Sequence, residues 1–207
     1  MPFATEQERF WAGEFGQDYI ERNRGSSLVA SNLSLFARAL HATDKVSSVL
    51  ELGANIGLNL AALAQLLPHA RLTAVEINSS AAAELRRQER VEVHNGSLLE
   101  FASPLQWDLV FTKGVLIHIN PDALPAAYDV MYRASRRYLM VCEYYNPTPT
   151  SVPYRGHAER LFKRDFAGEL LDRFGDLRLV DYGFVYHRDP EFALDDSTWF
   201  MLEKRAY

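Results

Sequence analysis

The sequence predicts an α/β domain: a seven-stranded, mostly parallel sheet with a C-terminal antiparallel hairpin, preceded by an N-terminal helical lid. Three observations carry this. From residue 46 onward, short apolar runs alternate with helical patterns, the signature of a parallel sheet with helices on both faces. The last two apolar runs have no helix between them, only the loop H-R-D-P-E-F-A-L-D-D, so they pair as a hairpin and add antiparallel strands to a parallel sheet. The 207 residues, 48% apolar and 24% charged, suffice for one domain with a full core and are too few for two ordinary ones.

Residues 1–45 form the expected lid. The stretch T-E-Q-E-R-F-W-A-G-E-F-G-Q-D-Y-I-E-R-N-R-G is helical but interrupted by Gly13 and Gly16, and it carries Phe10, Trp11, Phe15 and Tyr19. A second helix is expected over 28–41. The core, 46–207, follows. Strands are expected over 47–52, 71–76, 91–94, 107–112 and 138–144, with helices over 57–67, 79–89, 122–135 and 164–174. The hairpin strands are 177–186 and 197–204. Between residues 145 and 157 stand Pro147, Pro149 and Pro153, which stiffen a loop that cannot be a helix. Ligands of open α/β sheets sit at the carboxyl ends of the strands, where the aromatic N-terminal segment folds over as a lid.

Composition excludes several classes. A net charge of −5 and a pI near 5.7 give no broad basic surface, so nucleic acid is not an expected partner. The single cysteine, Cys142, lies in an apolar run and reads as a core residue; no Cys/His spacing suggests a metal. No apolar run approaches membrane-spanning length, and the N-terminus has neither a basic start nor an apolar signal core, so the expected location is cytoplasmic.

Four strand ends carry the candidate chemistry. In V-L-E-L-G-A-N-I-G, a strand ends at Leu52, Gly53 opens a turn, and Gly57 is expected to let the following helix pack close to the strand. A dinucleotide loop would read G-x-G-x-x-G; here Asn55 stands between the glycines and Glu51 two residues before them. A carboxylate there opposes a pyrophosphate and suits a cationic ligand such as S-adenosylmethionine. Asn55 tolerates positive φ better than other non-glycine residues, so it holds the turn. Glu76 ends the next strand with Ile77 after it, 23 positions beyond Gly53, the offset at which an acidic residue takes two ribose hydroxyls. Ser97 and Leu98 follow the third strand, where the adenine edge is expected. After the fourth, Lys113, Gly114 and His118 point at the reactive end, with His118 a candidate general base.

These pieces, in this order, resemble the class I S-adenosylmethionine-dependent methyltransferases, over residues 46–207. A narrower resemblance spans nearly the whole chain. F-W-A-G-E-F-G-Q-D-Y-I-E-R-N, V-L-E-L-G-A-N-I-G-L-N-L, F-T-K-G-V-L-I-H-I-N-P and E-Y-Y-N-P-T-P look like the family of pseudaminic acid biosynthesis-associated methylases. That family is in turn similar to enzymes that cyclise S-adenosylmethionine to azetidine-2-carboxylic acid. The resemblance implies a single-domain Rossmann-like methyltransferase fold and S-adenosylmethionine as cofactor or substrate.

Two chemistries suit one such pocket. Methyl transfer needs a small acceptor; cyclisation needs only the cofactor bent so that its own amine attacks its γ-carbon. The expected reactive end holds Tyr144, Tyr145 and Asn146 after the fifth strand and Tyr186 on the sixth. Aromatic faces there favour a sulfonium. Tyr19, Asn23 or a nearby arginine of the lid is expected at the carboxylate. Methyl transfer ranks ahead of cyclisation, and a cofactor-binding subunit without turnover ranks last.

Overall fold

The computed structural model describes residues 3–22 and 25–205. Helices α1 (Glu6–Ala12), α2 (Glu14–Arg22) and α3 (Ser26–Leu40) lead into β1 (Ser48–Leu52), α4 (Leu58–Leu66), β2 (Arg71–Glu76), α5 (Ser79–Leu85) and β3 (Val91–Asn95). Then come β4 (Trp107–Lys113), α6 (Leu124–Ala134), β5 (Ser135–Glu143), β6 (Thr150–Tyr154), β7 (His157–Lys163), α7 (Phe166–Arg173), β8 (Leu177–Val185) and β9 (Ser197–Lys204). The main sheet runs β3-β2-β1-β4-β5-β9-β8, parallel from β3 to β5. Strand β9 is antiparallel to both β5 and β8, as the helix-free last connection predicts.

Two apolar layers sandwich the sheet, because alternate strand residues face opposite sides. Val49, Leu109, Phe111 and Met140 pack under Leu35 and Phe36 of α3 and Leu60 and Leu63 of α4. Leu50, Val110, Leu139 and Val141 face Val130 and Met131 of α6 and Leu170 of α7. Strand β1 is buried at every position, as a central strand covered on both faces must be. It pairs with β2 on one side and β4 on the other, so the order of chain entry reverses there. That switch point is where such sheets open a crevice.

Two expectations need correction. The break between α1 and α2 falls at Gly13, while Gly16 lies inside α2. Thr5 opens α1 with a capping box: its side chain accepts from the Glu8 N–H, and its own N–H donates to the Glu8 carboxylate at 2.9 Å. The larger correction lies in the proline-rich stretch: Pro147 and Pro149 stand in a loop as expected, but the chain from Thr150 to Lys163 forms a two-stranded antiparallel sheet, β6–β7. Pro153 is accommodated where the register shifts between Val152 and Tyr154, the kind of irregular edge position that tolerates proline. The hairpin turns through Arg155 and Gly156, at φ 48° and 85°. Two positive φ values match the twist of the flanking strands.

Candidate active site

The carboxyl ends of β1 to β5 open on a cleft of about 520 Å³, roofed by α1, α2 and the β6–β7 hairpin. Lid and hairpin meet through aromatic rings. Phe10 and Phe15 contact His157 at 5.0 and 5.8 Å between centroids, and Trp11 lies 4.5 Å from His118. The Gln7 side-chain amide donates to the Glu159 carbonyl at 3.2 Å. Below, Ile20 of α2 packs with Ile56 and Ala81, and the Asn78 amide donates to the Trp11 carbonyl at 3.2 Å.

One side of the cleft is built for a polar diol beside an apolar slot. The Glu76 carboxylate accepts the N–H of Asn55 at 2.7 Å and that of Asn78 at 2.7 Å, and it lines the cleft at the end of β2. Burial raises its carboxyl above the usual range, and these backbone donors work against the rise. Asn55 reaches Glu76 because it turns at φ 48°, as the sequence predicts. Ile77, Leu98 and Ile119 supply the slot. Ser97 is also in the cleft, with its hydroxyl donated to the carboxylate of Glu8 from α1. The acidic group at this edge therefore comes from the lid, which the sequence reading missed.

The glycine turn works differently from expectation. Gly53, at φ 81°, lies against Val115: a Cβ there would come within 2.6 Å of that side chain. Gly57, at φ 83°, makes room not for a strand but for α5 and the segment after it, since a Cβ would fall 2.1 Å from Leu85 and 2.7 Å from the Gln88 amide. Neither Gly57 nor Glu51 lines the cleft. Glu51 is fully buried under the turn, where its Oε1 accepts from the Asn59 amide at 2.6 Å. Burial pushes its carboxyl up to about 8. Asn59 and Asn32, from α4 and α3, do line the cleft. The sequence reading passed over both, as polar residues inside apolar helical runs.

At the far end stand Tyr19, Lys113, Tyr144, Tyr154, Arg155 and Asp195, with Gly114 beside them at the end of β4. The Tyr144 hydroxyl donates to Asp195 at 3.1 Å. Burial pushes the Tyr19 and Tyr144 hydroxyls well above their ordinary value, so both remain protonated donors. His118 is buried in the wall. Its Nδ1 lies 2.6 Å from the Arg160 carbonyl, which assigns the hydrogen to Nδ1 and leaves Nε2 as the acceptor. Burial lowers its pKa to about 4, so the ring is neutral near pH 7. The loop that carries it hangs on Glu143, whose carboxylate accepts from Val115 and Leu116 at 3.0 and 3.2 Å.

Three expected reactive residues lie elsewhere. After β5 the chain alternates sides: Tyr144 faces the cleft, whereas Tyr145 bridges to Arg164 and packs on Phe200, 42% exposed. Asn146 closes the next turn by donating to Thr150 at 3.0 Å. Tyr186 is 45% exposed, tilted against Phe184 and edge-on to His187; the neighbouring His187, held by Asp196, is the residue that reaches the cleft. Asn23 lies outside the described residues.

A crevice at this switch point, over this strand order, defines the class I methyltransferase fold. Residues 49–137 match the family model of a methyltransferase domain. The chain is similar in structure to magnesium protoporphyrin IX methyltransferase from Synechocystis PCC 6803 with bound S-adenosylhomocysteine. The identity is 14%, over 96% of this chain and 98% of that one, with a TM-score of 0.66. It is also similar to the 1,6-didemethyltoxoflavin-N1-methyltransferase from Burkholderia thailandensis, with bound 1,6-didemethyltoxoflavin and S-adenosylhomocysteine. There the identity is 18%, over 100% and 93% of the two chains, with a TM-score of 0.68. The N-methyltransferase NodS from Bradyrhizobium japonicum WM9, in complex with S-adenosylhomocysteine, gives 18% over 97% of both chains and a TM-score of 0.65. At such identities the likeness speaks for the fold. No curated protein matches by sequence.

Proposed function

We propose that the protein transfers the methyl group of S-adenosylmethionine to a small-molecule acceptor in the cytoplasm. The observation that carries this is Glu76: a carboxylate at the end of β2, held by two backbone N–H groups and turned to a cleft with an apolar slot on one side and an aromatic end on the other. Its oxygens retain lone pairs for a ribose diol. The slot of Ile77, Leu98 and Ile119 fits a purine, and Glu8 with Ser97 offers polar atoms at its rim. Tyr19, Tyr144 and Tyr154 at the far end suit a sulfonium, by cation–π attraction worth up to about 2 kcal/mol when desolvated.

S-adenosylmethionine supplies an electrophilic methyl group on that sulfonium. The chain's own residues bind, orient and exclude water. The Glu143 carboxylate fixes the 115–117 backbone, and with it the wall that carries His118. With a pKa near 4, His118 is a weak base; its neutral Nε2 orients a donor rather than removing its proton. Asp195 accepts from the Tyr144 hydroxyl and so fixes that donor at the reactive end. A volume of about 520 Å³ holds a nucleoside cofactor and a small second molecule. The net charge of −5 supports a small molecule over nucleic acid, and the Burkholderia neighbour with 1,6-didemethyltoxoflavin supports an acceptor of that size. Among the described residues no helix is long and apolar enough to cross a membrane. Bacterial secondary-metabolite or sugar pathways are where such an acceptor belongs.

Enclosure favours a second reading. The Trp11 and Phe15 rings meet Tyr154 across the top of the cleft at 6.3 and 5.8 Å. An aromatic roof suits cyclisation, in which the ligand's neutral α-amine bonds to its own γ-carbon, the carbon–sulfur bond breaks, and methylthioadenosine leaves. Incubation with S-adenosylmethionine alone separates the two. Methyl transfer predicts no turnover until an acceptor is added, then S-adenosylhomocysteine; cyclisation predicts azetidine-2-carboxylate and methylthioadenosine by mass. Calorimetry tests the ligand itself: Glu76→Ala should weaken S-adenosylhomocysteine about tenfold to a hundredfold. Unchanged affinity would refute the diol assignment.

A further inference from the structure

Two carbonyl acceptors around the glycine turn have no hydrogen-bond partner among the described residues: Asn32 Oδ1 and Asn59 Oδ1. Asn32 is 3% exposed, and both asparagines line the cleft. Asn59 is held in place because its amide nitrogen is already committed to Glu51. A carbonyl oxygen shut away from water and left without a donor destabilises the fold, so two gathered at one cleft mark a place where a donor arrives with a ligand. The donor must offer several hydrogens and need no acceptor in return. Ammonium and guanidinium groups both meet that description, and S-adenosylmethionine carries the first.

We infer that Asn32 and Asn59 form a subsite for a primary ammonium, braced by Glu51, and that it takes the α-amine of the cofactor's amino-acid end. This rests on the reading of the cleft as an S-adenosylmethionine site. The direction follows from the strand order. Glu76 at the end of β2 places the ribose, and Ile77, Ser97 and Leu98 lie on the β3 side of it. Asn59 begins α4 after β1, and Asn32 comes from α3, which packs on α4. The part of the ligand beyond the ribose therefore extends toward the two amides. Lys113 lines the same cleft at the end of β4 and supplies the counter-charge for a carboxylate, so the wall suits a zwitterion.

Calorimetry with two probes tests this: S-adenosylhomocysteine and its des-amino analogue, 5′-S-(3-carboxypropyl)-5′-thioadenosine. The wild-type protein should prefer S-adenosylhomocysteine by about tenfold or more, the value of a hydrogen bond to a charged group. Asn32→Leu, close in size, should bring the two affinities within about threefold while leaving the analogue's unchanged, and that unchanged affinity shows the variant is folded. Should Asn32→Leu fail to fold, Asn32→Asp carries the same test, because a carboxylate there should raise the preference at least threefold. A preference that survives both Asn32→Leu and Asn59→Leu overturns the subsite, as does a wild-type protein that binds both probes equally. If the wild-type protein binds neither probe, the cofactor reading has failed and the subsite falls with it.

Discussion

Asn55 shows how one residue serves two ends. It takes a left-handed φ of 48°, where glycine is usual, and the resulting turn aims its N–H at Glu76. That conformation was legible in the sequence, because asparagine is among the few residues that tolerate it. The role of Glu51 was not, since its spacing to the glycines reveals nothing of depth. It lies fully buried, and Asn59 stands between it and the cleft. Burial has a measurable consequence. It raises the Glu51 and Glu143 carboxyls from 4.5 to about 8 and about 7. Below pH 4.5 both are protonated folded or unfolded, and their contribution is whole. As pH rises toward 7 and 8 the unfolded chain has already released protons that the folded chain keeps, so stability falls. His118 acts oppositely, its pKa lowered by burial from 6.5 to about 4, but its gain with rising pH is complete near 6.5. The thermal midpoint should therefore drop between pH 6.5 and 8.5. Glu51→Gln should flatten that slope, by up to about 1.4 kcal/mol per pH unit. A midpoint of the unaltered protein that climbs over this range would show the carboxyls to be ionised in the fold.

At the scale of elements, the sheet was legible because strands buried on both faces leave unbroken apolar runs, and because a missing helix implies an antiparallel return. The β6–β7 hairpin was not. Pro147 and Pro149 before it and Pro153 within it are strong loop signals, and only the bulge at Pro153 reconciles that proline with pairing. Tyr145 and Asn146 were misplaced for local reasons: past the strand end successive side chains still point to opposite sides, which turns Tyr145 away, and Asn146 is taken by the turn before β6 through its bond to Thr150, so only Tyr144 of the three enters the cleft. The turn of the hairpin carries a tension of its own. Arg155 sits at φ 48°, in a position that the primed turns give to asparagine or glycine, at a cost of about 1 kcal/mol or more. Its charge, however, lines the cleft. Arg155→Asn should raise the stability of the protein by about 1 kcal/mol in denaturant melts and weaken the binding of anionic acceptors or of the cofactor. An Arg155→Asn variant no more stable than the parent would mean that the turn carries no strain.

At the scale of the molecule, the cleft joins parts distant in sequence: a lid from the first helices, strand ends from the middle, and the loop before β9, which brings Asp195. A ligand bridging these parts binds the folded chain and not the unfolded one, so it must raise the free energy of unfolding. S-adenosylhomocysteine at a hundred times its dissociation constant should add about 2.7 kcal/mol, read as an upward shift of the thermal midpoint. The size of that shift in variants then maps the cleft. Glu76→Ala should cut it to between about 0.4 and 1.4 kcal/mol at the same ligand concentration, the values for a tenfold to hundredfold weaker site. Trp11→Ala should shrink it, because Trp11 lines the cleft and its ring joins the lid to His118 and Tyr154. Tyr145→Phe and Tyr186→Phe should leave it whole, since both hydroxyls lie outside the cleft. Each variant carries its own ligand-free midpoint, which separates loss of binding from loss of fold. A shift that disappears in Tyr186→Phe while staying undiminished in Glu76→Ala would place the ligand on the wrong side of β8 for everything argued from β2.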